Sequence, residues 1–282
     1  SLKGLLGLML LAVIVLGGYR GVQSLFLDNE KYKLQEIDLQ TNGYLDHARV
    51  VDLAGIDLEA TIFAVSVEDV RERLSDLPEV VQCEVQRRLP GTLEIDIQER
   101  VPVAWIQCES VGFLGRRADG VLIDENGITF PCEGALWQAS QNLPVIIMIT
   151  AKSEDFDHGT KVKHVDLMRA LDLMATFSEA DVREEWLPEQ ITLINDYSME
   201  LVCHNQSKAI FGMYEHKRQV ENYITIHEHC LAENRNSDNP GMKQKIKQMN
   251  LMPRKNIPVE FKKQPAQPEE PVLIKPRMPT TH

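Results

Sequence analysis

The densest cluster of side chains that could do chemistry is His227-Glu228-His229-Cys230. Imidazole nitrogens and thiolates are preferred zinc ligands. The stretch 215–232 has the periodicity of an amphipathic helix, on which His227 and His229 point to different faces. His227 also falls on the apolar stripe of that helix. We therefore predict a core histidine, with a zinc ligand as the alternative.

A second candidate is the carboxylate pair Asp124-Glu125, which could bind calcium or transfer a proton. The full motif is Asp-Glu-Asn-Gly between two apolar runs, which is typical of a hairpin turn, and we predict a turn. The chain also lacks a G-x-S-x-G elbow, a P-loop, a G-x-G-x-x-G fingerprint and an H-E-x-x-H motif. We predict that the protein is not an enzyme and needs no cofactor or metal.

The five cysteines are widely spaced, without a C-x-x-C pair, and their odd number leaves at least one free thiol. Outside the cytoplasm some of them could form disulfides. The other interpretation is that the cysteines are buried and pack as small apolar residues. The positions are Cys83, Cys108, Cys132, Cys203 and Cys230.

The charge is unevenly distributed along the chain. The whole chain has 30 basic and 42 acidic residues, yet residues 241–282 hold nine basic and only three acidic ones. The rest is therefore strongly acidic and repels phosphate backbones, which argues against nucleic acid as a partner.

An uncharged run of 16 residues, Gly4–Tyr19, precedes the polar part of the chain. Such a run approaches the roughly 17–25 residues that span a bilayer, and Leu25–Leu27 could extend it past Arg20. We predict a retained anchor over 1–27 in the inner membrane, with a cleaved signal peptide as the alternative. Either interpretation sends the bulk of the chain out of the cytoplasm, into the periplasm.

The first folded part that the sequence predicts is a small β-α-α-β-β unit. Residues 34–40 suggest a strand, and 44–53 a short helix. Ser66 is a predicted helix cap, and Pro78 is expected to end that second helix. Two runs with alternating apolar residues follow, joined by Leu89–Thr92, and predict a hairpin. We expect Val85 and Ile95 to face the core, and Glu94 and Asp96 to face solvent.

This order resembles a POTRA domain of the FtsQ/DivIB family of cell division proteins. Asp76–Val80 stands where the family has an l-P-x-V turn. The segments Arg87–Leu93 and Glu99–Trp105 are similar to its R-x-x-P-x-T-L and E-R-x-P-V-A stretches. Leu122–Phe130 resembles its l-V-D-x-x-G-x-v-F hairpin. The resemblance implies a second domain, a mostly antiparallel sheet with packed helices, and we expect Trp105 in the core where the domains join.

The predicted fold class is thus α+β, in five parts. They are a transmembrane anchor (1–27), a linker (28–33), a POTRA domain (34–101), an FtsQ-like β-domain (102–262) and a disordered Pro-rich tail (263–282).

The resemblance also implies a partner site at the end of the β-domain. Met249–Phe261 is similar in layout to the family segment V-D-L-R-Y…V-x-W, from which Asn250, Met252 and Pro253 depart. The segment is expected to form an exposed edge strand that binds FtsB-like and FtsL-like bitopic proteins. Its candidate contacts are Leu251, Arg254, Ile257, Val259 and Phe261. Arg87 and Arg88 are a further candidate patch on the POTRA surface, or else a solvated strand end.

The function implied is a non-enzymatic scaffold of the division complex that recruits and regulates septal cell-wall synthesis. The alternative is a chaperone-like POTRA module of an outer-membrane assembly or secretion system. That alternative is disfavoured because the chain lacks the repeated alternating strands of a barrel.

Overall fold

The structure is a computed structural model that describes residues 14–15, 30–236 and 244–262. The predicted Pro-rich tail, 263–282, lies outside the described residues. So does the predicted anchor, apart from Ile14 and Val15. Within the described ranges, no helix is both long enough and apolar enough to cross a bilayer.

The first domain has the predicted β-α-α-β-β order. Its sheet is arranged β1-β3-β2, with β1 parallel and β2 antiparallel to the central β3. The elements are β1 (Glu36–Thr41), α1 (His47–Ala54), α2 (Val67–Ser75), β2 (Val80–Arg88) and β3 (Thr92–Glu99).

Side-chain caps determine where the two helices begin. Ser66 accepts a hydrogen bond from the amide of Asp69 at 3.2 Å, which confirms the predicted cap of α2. Asp46 does the same for α1 by accepting from the amide of Arg49. Gly55 ends α1 at φ 63°, a left-handed conformation that favours glycine.

The hairpin register agrees with the alternation of its sequence. Val85 pairs with Ile95, and both side chains are buried. Asp96 is exposed, and Glu94 is half-buried beside Arg88, with 2.8 Å between their charged groups. The predicted inward and outward faces are therefore confirmed.

The predicted linker is partly folded onto this domain. Lys33 forms a bridge with Thr61, and the amide of Ile62 donates to the carbonyl of Tyr32 at 2.7 Å. Leu34 and Tyr32 pack against the domain core. The first domain thus includes residues from about 30 onwards, earlier than the expected boundary at 34.

The second domain is a ten-stranded mixed sheet with helices. In the described part six strand pairs are antiparallel and three are parallel (β4–β8, β8–β9 and β11–β12), which fits a mostly antiparallel sheet. The order is β13-β12-β11-β10-β9-β8-β4-β6-β7, with β5 on β4. The strands are β4 (Pro102–Cys108), β5 (Phe113–Leu114), β6 (Val121–Asp124), β7 (Thr129–Pro131), β8 (Val145–Met148), β9 (Pro188–Asn195), β10 (Ser198–Cys203), β11 (Lys208–Gly212), β12 (Ile246–Asn250) and β13 (Val259–Phe261).

Two long helices cover one face of this sheet. They follow a short helix, α3 (Leu136–Ser140), and are α4 (Val165–Glu179) and α5 (His216–Asn236). Phe177 of α4 and Tyr223 of α5 meet in the core at a centroid distance of 5.4 Å. Helix α5 falls where the apolar periodicity over 215–232 predicts a helix, and it continues for a further turn.

The predicted burial of Trp105 is confirmed, but the apolar cluster around it consists of second-domain residues and not of residues from both domains. Trp105 lies in this smaller apolar cluster with Leu122, Phe130 and Leu136. Its indole N–H donates to the carbonyl of Ser140 at 2.7 Å. The polar end of the side chain is therefore satisfied inside the domain.

Candidate partner-binding edge

The last strand, β13, ends the ten-stranded sheet. It pairs with β12 alone among the described strands, through Met249↔Val259 and Gln248↔Glu260. The amide of Asn250 donates to the carbonyl of Pro258 at 3.0 Å, and the amide of Lys262 donates to the carbonyl of Lys245 at 2.7 Å. The outer side of β13 is thus an edge to which another strand can add.

The backbone groups that face this outer edge can be identified from the pairing. Pro258 and Lys262 direct backbone groups toward β12. Neighbouring residues of a strand alternate in the direction of their N–H and C=O groups. Val259 and Phe261 therefore present their amide N–H and carbonyl groups on the outer edge.

The predicted contact residues differ widely in exposure. Leu251 is fully buried in the core of the second domain, so it is not part of the exposed edge. Ile257 and Val259 are half-buried and pack against that core. Arg254 and Phe261 are exposed, and Phe261 keeps 39% of its surface accessible. Among the five predicted contact residues, Phe261 is consequently the large apolar side chain that a partner can cover.

Helix α5 holds the loop between β12 and β13. The guanidinium of Arg218 donates to the carbonyls of Leu251 and Pro253 at 3.5 and 3.3 Å. Arg254 forms an ion pair with Glu215, the residue before the helix. These contacts fix the start of the loop relative to the main body of the sheet.

The edge carries basic charge beside a shallow depression. Lys245, Lys255 and Lys262 are exposed, whereas Lys247 pairs with Glu260 at 2.6 Å. The depression has a volume of about 290 Å³. Its lining consists of Gln248, Met249, Asn250, Pro258, Val259 and Glu260. Excess positive charge at an edge favours a partner strand with acidic residues.

Arg87 and Arg88 lie at the end of β2. Arg87 donates from Nε to the carbonyl of Ile62 at 2.9 Å, and it also donates to the carbonyl of Val65. Arg88 pairs with Glu94. Arg87 therefore ties the hairpin to the segment before α2, and both guanidinium groups already have partners within the domain.

The His/Cys cluster on α5 does not converge. His227 is 4% exposed, which confirms it as a core residue, and burial lowers its pKa to about 4. His229 is exposed and lies 3.3 Å from Glu233. In the part of the chain that the structure describes, no three His, Cys, Asp or Glu side chains are grouped as metal ligands would be.

Asp124 has the turn role that its motif predicts. One carboxylate oxygen accepts from the amides of Asn126 and Ile128 at 3.0 and 2.8 Å. The other oxygen accepts from Arg100 at 3.1 Å. The carboxylate therefore has structural partners on both oxygens.

The five cysteines all lie in described residues and are free thiols. Four are buried, and Cys230 is half-buried. Burial raises the pKa of the Cys83 and Cys132 thiols to about 11. These two thiols are therefore poor nucleophiles near neutral pH.

Sequence reasoning missed the residues that support the edge. Arg218 and Glu215 lie near the start of α5, more than 30 positions before the loop that they hold. In the sequence, these two charged residues are typical of the solvent-exposed surface of a helix. An i,i+3 Glu-Arg pair at a helix start is the one available signal, and it does not identify the distant loop.

Comparison with known proteins gives consistent matches. Residues 32–100 match the family model described as POTRA domain, FtsQ-type. The chain is 29% identical over 185 residues to the cell division protein FtsQ of Geotalea daltonii, a match that covers 65% of this chain and 62% of that protein. It is 27% identical over 120 residues to FtsQ of Koribacter versatilis, covering 41% of this chain and 32% of that protein.

A DivIB protein is also similar. The cell division protein DivIB of Clostridium tetani is 18% identical over 175 residues, covering 61% of this chain and 56% of that protein. The chain therefore matches less than two thirds of the length of these curated relatives.

Proposed function

We propose that this chain, which matches an FtsQ-type POTRA model and curated FtsQ and DivIB proteins, belongs to the FtsQ/DivIB family and is a non-enzymatic scaffold of the bacterial cell-division complex. The proposed activity is binding alone: the protein brings division proteins together and so regulates septal cell-wall synthesis. The relatives in Geotalea daltonii and Koribacter versatilis are cell division proteins by name.

The partners that we propose are FtsB-like and FtsL-like bitopic proteins. The main observation in support of these partners is that β13 ends the described sheet with an unpaired outer side. A partner strand would bond to the outward backbone groups of Val259 and Phe261. The Phe261 ring would be covered by the added strand, and the exposed lysines would face acidic partner residues.

We also propose that the chain is a single-pass protein of the inner membrane, with both described domains in the periplasm. The uncharged run Gly4–Tyr19 supports this proposal. Fractionation with carbonate extraction tests it. A retained anchor stays with the membrane pellet, whereas release of a mature chain that starts near Leu25 would contradict it.

Co-purification of the full chain with its FtsB-like and FtsL-like proteins tests the scaffold. We expect both to be retained by the native chain. Phe261→Pro should abolish their retention because it removes the ring and one outward N–H donor. Tyr197→Ala is the control, since Tyr197 is an exposed aromatic residue away from β13. Retention that is equal in all three chains would contradict the edge. Co-purification with outer-membrane barrel proteins instead would contradict the division role.

A further inference from the structure

The junction between the two domains is very short. Only Arg100 and Val101 separate β3 of the first sheet from β4 of the second. The backbone amide of Arg100 donates to the carbonyl of Glu79 at 2.8 Å. Its side-chain Nε donates to the carbonyl of Pro78 at 2.8 Å, and Nη2 donates to that of Val80 at 3.3 Å. Arg100 therefore binds the start of β2 at three points.

The same guanidinium reaches into the second domain. Nη1 of Arg100 donates to the carboxylate of Asp124 at 3.1 Å. The two side chains are 12% and 5% exposed, so the pair is almost excluded from water. The second carboxylate oxygen is occupied by two turn amides. Removing one partner from such a pair leaves a buried charge without compensation, which is costly.

Two further contacts surround the same segment of the first domain. Arg49 of α1 lies 3.1 Å from Glu79 and also pairs with Glu133 of the second domain. On the other side, the turn at Gly159 packs on Pro78: a Cβ added to Gly159 would lie 3.5 Å from the Cα of Pro78. Residues 78–80 are thus held by groups from both domains.

From these contacts we infer that Arg100 and Arg49 clamp the two domains into one rigid body. The junction is then a rigid connection and not a flexible hinge. Domains in one chain move relative to each other by default unless their interface is extensive. Here a two-residue connection, a buried ion pair and a second ion pair join the two domains. The clamp holds β13 in a fixed orientation relative to the first domain, which preorganises any surface that spans both domains.

Distance measurement between spin labels in the full chain tests the clamp. The labels are placed at Glu84→Cys in the first domain and His204→Cys in the second, both at exposed positions. A Cys230→Ser background removes the one native thiol that is not buried. The chain without clamp mutations should give a single narrow distance distribution.

The test variant is Asp124→Asn combined with Arg49→Ala. It removes both interdomain ion pairs, yet the asparagine oxygen can still accept from the turn amides. We expect the distance distribution between the two labels to become at least about two-fold wider, because the domains can then move relative to each other. Arg88→Ala removes an ion pair inside the first domain and should leave the distribution narrow.

Two results would overturn the inference. One is a distribution that is already broad before the clamp is changed. The other is a narrow distribution in the double variant. A circular-dichroism melt of the double variant shows that both domains are folded, so that a broad distribution reports domain motion. If the double variant does not fold, Arg100→Lys replaces it. The lysine keeps the charge but cannot form the same three-point contact. The same widening of the distance distribution is then expected.

Discussion

The imidazole of His227 stacks on the indole of Trp186, with the ring centroids 4.8 Å apart and the planes inclined by 27°. Tyr223 approaches the imidazole edge-on at 4.6 Å. Nε2 of His227 is buried without a hydrogen-bond partner. Because burial disfavours the imidazolium, the pKa falls from its ordinary value of 6.5 to about 4.

Unfolding free energy should therefore rise with pH between about 4 and 6.5. In that window the unfolded chain binds a proton at His227 that the folded chain does not bind. At pH values below 4, the unfolding free energy is therefore lower than at neutral pH by the full effect of about 3 kcal/mol. Urea unfolding of the native chain and of His227→Phe from pH 4 to 7.5 measures it. Stability curves that stay parallel would contradict the assignment.

Tyr223→Phe should destabilise the second domain by about 1–3 kcal/mol. The phenol donates to the carbonyl of Trp186 at 2.8 Å and lies 2.7 Å from the thiol of Cys203, so the variant leaves buried polar groups unpaired. Tyr197→Phe is the matched control, because Tyr197 is exposed and should change stability by less than about 0.5 kcal/mol. Denaturant titration compares the two, and similar losses would refute the role of the buried hydroxyl.

Ile95→Asp should unfold the first domain, because the carboxylate would be buried without a partner in the centre of the sheet. Its neighbour Glu94 faces outward and forms a partly exposed pair with Arg88. Glu94→Ala should cost less than about 1 kcal/mol. Thermal melts of the full chain provide the measurement, and equal losses in both variants would show that the register is wrong.

Phe261→Ala should weaken binding of the proposed FtsB-like partner by about 2 kcal/mol or more, roughly 30-fold, with little change in the melting temperature. Leu251→Ala is the opposite case: its side chain is fully buried, so about 2–5 kcal/mol of stability should be lost. Calorimetric titration and a melt on both variants separate the roles. Unchanged binding by a normally folded Phe261→Ala chain would exclude Phe261 from the site.

Cys230 should be the first thiol to react with an aromatic disulfide reagent in the native chain. The other four cysteines are buried, whereas Cys230 is half-exposed. Burial still raises the pKa of its thiol, so labelling should be slower than for a free cysteine. Thiol titration with and without Cys230→Ser tests this expectation. Rapid labelling that persists in the variant would mean that a buried cysteine becomes accessible.

The sequence by itself determined the first domain almost completely. Its signals are local: the Ser66 cap, the alternation around Val85 and Ile95, and turn residues between the two strands. The hairpin residues are close in the chain, so register and burial follow from period and turn chemistry. The resemblance to the FtsQ/DivIB family extends over this same region, where the family model matches.

The tertiary structure alone decided the strand order of the second domain and the surface left for a partner. Strands β4, β8 and β9 are parallel neighbours although long segments separate them, and no local pattern specifies such a pairing. Leu251 and Phe261 are both large and apolar in one short segment, yet one is buried and the other exposed. Arg100 meets Asp124 only because two sheets are packed at the junction. Such contacts depend on how distant elements pack together, which the spacing of residues along the chain does not encode.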